Sequence, residues 1–242
     1  FISIFLLSDI ISIYHVLIDL YYNNTKLTNE MKELNTSISK IKNYMRTFNI
    51  IDENVLDVIC DVRKEIYAPD EYKSFAYSDF QIPLKHSQFM LTSNVEGLIL
   101  QSMRISSSDS AIILGSGTGY LAACVSKLAS KVTAIDIYDD FISDSEKNCV
   151  KDNIKNVNFK CLDINDFWGM IKDYNIIIST FSIESSEAIS SNMSENSKAF
   201  IFTGEENSPI KSGKIISKIE NNGYTREHII QTNVKHIIKG MN

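Results

Sequence analysis

The sequence predicts an α/β protein: a doubly wound, mostly parallel seven-stranded sheet that ends in an antiparallel hairpin, with a helical extension on its N-terminal side. Three observations carry this. The apolar run Ile112-Ile113-Leu114 breaks into Gly115-Ser116-Gly117-Thr118-Gly119, and an amphipathic stretch follows, as in a strand that turns through a glycine loop into a helix. Further apolar runs alternate with helical patterns, which implies parallel strands joined by right-handed crossovers with helices on both faces. Near the C-terminus, residues 214–220 and 225–234 flank Asn221-Asn222-Gly223, a hairpin-type turn.

The elements follow in chain order. Asp52 is placed to cap a helix whose face carries Val55, Ile59, Val62 and Ile66. A loop begins at Ala68-Pro69-Asp70 and carries Tyr72, Phe75, Tyr77 and Phe80. Ser93-Asn94-Val95-Glu96 has the capping-box form and opens a helix bearing Val95, Leu98, Ile99 and Met103. After the glycine loop, Leu121, Val125 and Leu128 mark a helix, and residues 131–136 form the second strand. Residues 141–150 read as the next helix and 156–163 as the third strand. The continuous apolar run at 175–179 is a buried parallel strand, and 199–203 is the fifth. Asp139 and Asp140 suit the positive end of a helix dipole, and Trp168 suits packing.

A chain of 242 residues, 44% apolar and 22% charged, fits one α/β domain with a substantial core. The net charge of −6, with Lys and Arg scattered, argues against nucleic acid as a partner. Cys60, Cys124, Cys149 and Cys161 form no C-x-x-C pair and have no adjacent histidines, so they read as small buried hydrophobes in a reducing cytoplasm, with no metal site. Residues 1–22 are apolar but interrupted by Asp9, His15 and Asp19. An Asp at a membrane-helix centre costs roughly 2.5–3.5 kcal/mol, so no stable membrane association is expected. Residues 1–30 are expected to be a non-native, disordered or amphipathic extension, with the native start at Met31. Residues 31–242 then form one domain, helical over 31–109 and α/β over 110–242, expected to be monomeric.

Glycine spacing selects among nucleoside cofactors. A dinucleotide loop needs G-x-G-x-x-G, but its sixth position here is Tyr120 and the glycine comes one residue early. The second strand ends on Asp136, seventeen residues past Gly119, where a carboxylate can accept hydrogen bonds from both ribose hydroxyls. G-x-G-x-G with that acidic residue resembles the S-adenosylmethionine loop of class I methyltransferases.

More of the chain carries a resemblance. Asp61-Val62-Arg63-Lys64-Glu65-Ile66-Tyr67-Ala68-Pro69, then Phe75-Ala76-Tyr77-Ser78-Asp79, then Ile82-Pro83-Leu84-Lys85-His86-Ser87-Gln88 precede the loop. This ordered set resembles the "VPR..FVP", "lAYxD" and "iGhGQ" segments of the protein-L-isoaspartate O-methyltransferase family. Val95-Glu96-Gly97 and Leu100-Gln101 are similar to a bacterial branch of it. The resemblance implies a class I, Rossmann-like fold and a cytoplasmic repair enzyme. It would move a methyl group from S-adenosylmethionine to the α-carboxylate of isoaspartyl residues in damaged proteins. It implies cofactor contacts from Gly115, Ser116, Gly117, Thr118, Gly119, Asp136, Ile137, Asp163, Ile164 and Gln88, and assigns no catalytic residue. The acceptor is ionised at neutral pH and the sulfonium is a ready electrophile, so alignment should dominate over acid–base chemistry.

Four motifs depart from the family. Leu91 stands where a serine hydroxyl would lie beside the substrate carboxylate, with Thr92 and Ser93 following and Ser93 reading as a helix cap. Ile113 replaces an acidic residue; Leu162 and Ile164 replace the glycines around Asp163; Asn175 replaces an aspartate. These leave two alternatives open: transfer to another acceptor, or a fold kept for binding without turnover. His86, beside Gln88, reads either as a loop histidine or as one facing the site.

Overall fold

The computed structural model describes residue 26 and residues 31–219 and 223–238. The chain divides into two units, residues 1–44 and 45–242. The first is described at residue 26 and over 31–44, where it is helical. The expectations for residues 1–30 and for the turn at Asn221-Asn222 lie largely outside the described residues. Among those described, no helix is long and apolar enough to cross a membrane.

The second unit is built on seven strands: β1 (Ser110–Leu114), β2 (Lys131–Asp136), β3 (Val157–Cys161), β4 (Ile176–Ile183), β5 (Lys198–Thr203), β6 (Lys211–Ile219) and β7 (Gly223–Thr232). They form one sheet in the order β3-β2-β1-β4-β5-β6-β7. β1 to β5 pair in parallel, whereas β5-β6 and β6-β7 are antiparallel. This is the predicted mostly parallel sheet with a terminal hairpin. Ala111, Ile112, Ile113 and Leu114 are fully buried because β1 lies at the centre, covered on both faces. Trp168 packs against the core that Ile112, Ile135, Ile177 and Ile201 help to form. One reading is corrected at the edge: Cys161 is exposed, because β3 is the outermost parallel strand.

Two helix predictions also change. Helix α1 (Glu53–Asp61) is capped as expected, with Asp52 Oδ1 accepting from the N–H groups of Asn54 and Val55. It stops at Val62, whose backbone is extended (ψ 101°), so Ile66 falls on a separate turn, Lys64–Tyr67. Helix α2 (Ser93–Met103) has Thr92, not Ser93, as N-cap and forms no capping box. The reason is electrostatic: Lys64 Nζ lies 2.5 Å from Glu96 Oε2 and 3.0 Å from Ser93 Oγ, so both box side chains are drawn inward. The Ser93 hydroxyl donates to the Ala76 carbonyl (3.0 Å).

Asn175 lies at the start of β4, at the opposite end of the sheet from the glycine loop. Its Oδ1 accepts from Ser110 N (2.6 Å) and Ser110 Oγ (3.0 Å), and its Nδ2 donates to Asp109. The amide is therefore suited to a carboxylate neighbour. Asn175→Asp is expected to cost about 1–2 kcal/mol, since it replaces a donor to Asp109 with a like charge. Thermal unfolding should show the loss while cofactor affinity stays unchanged.

Candidate active site

A cleft opens at the carboxyl ends of the parallel strands, where the strand order reverses between β1 and β4, the usual ligand position in such sheets. It encloses about 900 Å³ of space, part of it open to solvent. The strand ends supply Gly115 and Gly117 after β1, Asp136, Ile137 and Tyr138 at β2, Leu162, Asp163 and Ile164 after β3, and Thr180 and Phe181 within β4. A loop over residues 81–91 supplies a second wall, and residues 233–238, beyond β7, a third.

The glycine loop needs its glycines for two different reasons. Gly115 has φ +89°, and a Cβ there would stand 2.3 Å from Thr180 Oγ1. Gly117 has φ +54°, but a Cβ there would meet nothing nearer than Leu84 Cδ1 at 3.9 Å. Gly115 therefore serves packing, while Gly117 exposes its backbone to the cleft. Asp136 and Thr180 hold the loop. Asp136 Oδ2 accepts from Gly117 N (2.8 Å) and Oδ1 from Tyr138 N (3.1 Å). The Thr180 hydroxyl donates to the Gly115 carbonyl (2.8 Å). Burial pushes the Asp136 carboxyl above its ordinary range, opposed by the N–H groups of Gly117, Tyr138 and Ile137. The carboxylate, with about four lone-pair sites, still keeps acceptor capacity for a ligand diol.

Seven of the ten residues predicted for the cofactor line the cleft: Gly115, Gly117, Asp136, Ile137, Asp163, Ile164 and Gln88. Ser116, Thr118 and Gly119 are not among the lining residues; they face the helix α4 (Asp139–Lys151) instead. Ser116 Oγ meets Ser145 Oγ (3.1 Å), the Thr118 carbonyl accepts from Asn148 Nδ2 (3.2 Å), and a Cβ on Gly119 would sit 2.9 Å from Ser145 Cβ. Tyr120, which opens the helix α3 (Tyr120–Leu128), is buried beneath Lys64, 5.1 Å from its ammonium. Ile113 sits within the sheet between Ala134 and Ile178 and does not reach the cleft.

The 81–91 loop is pinned at both ends. Leu84 N donates to Gln88 O and Met90 N to Ile82 O, closing a tight reversal in which His86 has φ 55°. His86 does not line the cleft. Its ring stacks on Tyr138 at 3.8 Å, nearly parallel at 4°, and its Nε2 lies 3.0 Å from Asp140 Oδ1. Lys85 Nζ reaches Asp144 at 3.0 Å. The loop tip is thus moored to the first turn of α4, whose acidic residues are Asp139 and Asp140. At its other end, Lys64 Nζ donates to the Leu91 carbonyl (3.0 Å). Neither Thr92 nor Ser93 lines the cleft, so neither of these hydroxyls stands in for Leu91.

Sequence reasoning missed the third wall. The segment 233–238 folds back onto β4: Ser182 N donates to Lys235 O and Ile237 N to Ser182 O, both at 2.8 Å. Gln81 Nε2 donates to Asn233 O (2.6 Å) and Asn165 Nδ2 to Ile238 O (2.9 Å). Asn165 is itself held by Asp163 Oδ1 (2.8 Å). Tyr138, Phe141, Thr180 and Phe181 were missed as well, since no motif marks them.

Comparison with known proteins places this geometry. Residues 35–198 match the family model described as protein-L-isoaspartate(D-aspartate) O-methyltransferase (PCMT). Protein-L-isoaspartate O-methyltransferase 2 of Shewanella sediminis is 24% identical over 153 residues, 63% of each chain. A Dictyoglomus turgidum protein-L-isoaspartate O-methyltransferase is 26% identical over 136 residues, 56% of this chain and 62% of its own. The chain thus spans somewhat less than two thirds of the length of these curated relatives. A Plasmodium falciparum structure, described as a protein-L-isoaspartate O-methyltransferase in complex with S-adenosyl-L-homocysteine, superposes with a TM-score of 0.70 at 18% identity. It matches over 83% of this chain and 98% of that one.

Proposed function

The chain belongs to the protein-L-isoaspartate(D-aspartate) O-methyltransferase family, and from that premise we propose that it methylates the α-carboxylate of isoaspartyl residues in proteins, using S-adenosylmethionine. The observation that carries this reading is the Asp136–Gly117 bond at the reversal of strand order. It presents a bare backbone and a buried carboxylate to one ligand, the combination that a nucleoside with a free diol requires.

S-adenosylmethionine supplies an electrophilic methyl group on a sulfonium. Asp136 would accept from the ribose hydroxyls, and Ile137, Tyr138 and Phe141 would pack beside the sugar and base. Asp163, flanked by the apolar Leu162 and Ile164, would accept from the adenine amine. Gly115, Gly117, Thr180 and Phe181 would face the methionine end. When bound, the cofactor's sulfonium would give the methyl group directly to an acceptor carboxylate and leave as the thioether, so the protein's residues would have no proton to move. The protein's work is alignment and exclusion of water, supported by the apolar loop wall of Phe89, Met90 and Leu91.

The wider assignment rests on the same premise. We infer damaged, isoaspartyl-containing proteins as substrates and the cytoplasm as the location. Incubation with methyl-labelled S-adenosylmethionine and an isoaspartyl peptide should give a base-labile methyl ester, with no label on the aspartyl control. Equal or absent labelling of the two peptides would remove this function.

A further inference from the structure

We propose that Lys235 is the acceptor-carboxylate subsite of the cleft, its ammonium pairing with the carboxylate that receives the methyl group; this rests on the activity proposed above. The charges of the cleft are divided between its walls. The strand ends contribute two carboxylates, Asp136 and Asp163. The 81–91 loop contributes the amides of Gln81 and Gln88 and otherwise apolar surface. The 233–238 segment contributes the one ammonium, Lys235, among the described lining residues.

An anionic acceptor entering this space is repelled by Asp136 and Asp163 and loses water against Phe89, Met90 and Leu91. The sulfonium supplies one counter-charge at the methyl group, but Leu91 offers no hydrogen bond, which leaves the rest of the carboxylate to a cation of the protein. Lys235 Nζ lies 5.1 Å from the centre of the Phe89 ring, two residues from Leu91, and makes no ion pair among the described residues. An aromatic face holds a cation in place while leaving its N–H donors for an anion. The backbone beneath is fixed by the Ser182 N to Lys235 O bond. The neighbouring His236 has its Nδ1 3.1 Å from Ser182 Oγ. The position thus combines a fixed backbone with a cation at the loop wall, where the family's hydroxyl is missing.

The test compares an isoaspartyl peptide with its α-carboxamide analogue, each bound in the presence of S-adenosylhomocysteine and followed by fluorescence anisotropy. Wild-type protein should prefer the carboxylate about fivefold, the upper range for a solvent-accessible ion pair. Lys235→Met should bind the two peptides equally, and Lys235→Arg should restore the preference. In steady state, Lys235→Met should raise KM for the peptide about fivefold while leaving kcat and KM for S-adenosylmethionine unchanged. An undiminished preference in Lys235→Met overturns the subsite, as does wild-type protein that does not distinguish the peptides. Wild-type protein whose Lys235-dependent preference for the carboxylate persists without methyl transfer overturns the activity, and with it the acceptor role, and leaves Lys235 as a carboxylate-binding residue only.

Discussion

Asp136→Ala is expected to weaken S-adenosylmethionine binding about a hundredfold in calorimetric titration. Two losses combine. The ribose hydroxyls lose a charged acceptor, worth roughly 1.5–3 kcal/mol per bond. The N–H groups of Gly117 and Tyr138 lose theirs as well, so the loop is no longer held against β2. A total near 3 kcal/mol corresponds to about two decades in affinity. Asp136→Asn keeps the shape and one acceptor oxygen and should fall in between. Unchanged affinity in both variants would show that the cofactor does not lie on Asp136.

Lys64→Met is expected to lower stability by about 3 kcal/mol at pH 8, read from denaturant unfolding. The pair it breaks is almost wholly buried: the side chains of Lys64 and Glu96 are 1% and 5% exposed. Removing one member of such a pair leaves an uncompensated charge in the interior, which is costlier than removing both. Lys64→Met combined with Glu96→Leu should therefore recover much of the loss. The pH dependence has a definite sign. Burial pushes the Glu96 carboxyl up to about 7, against the opposing pull of Lys64. Between the unfolded value near 4.5 and about 7, the folded state binds more protons than the unfolded one. The contribution of Glu96 to stability thus falls as pH rises through that window. Glu96→Gln should flatten this slope. Because Lys64 also holds the Leu91 carbonyl, Lys64→Met should loosen the loop wall and weaken cofactor binding too.

The parts legible in the sequence were those governed by local rules. The run 112–119 gave the central strand and its loop because φ > 0 demands glycine and central strands demand continuous apolar residues. Asp52 was readable as a cap because its partners lie two and three residues away. Glu96 was not, because local pattern favours a capping box while the side chain is taken by Lys64, 32 residues earlier in the chain. The end of α1 at Val62 carries no glycine or proline signal. In the cleft, the motif-bearing residues Gly117, Asp136 and Asp163 were legible. Gly119 belonged to the same motif yet packs on Ser145, since one pattern serves both ligand approach and helix packing. The segment 233–238 has no regular period, and its bonds run to Ser182, Gln81 and Asn165, all far away in sequence.

That segment also sets an order of events during synthesis. Gly117 and Asp136 emerge from the ribosome about a hundred residues ahead of Lys235, and the parallel core can assemble around them first. A nascent chain at that stage has the Gly117–Asp136 cradle but an open side where Val234 to Ile238 will lie. The third wall then closes when residues 233–238 zip onto β4 through Ser182. With the activity proposed above, the cleft would stay open on that side until residues 233–238 have docked on β4.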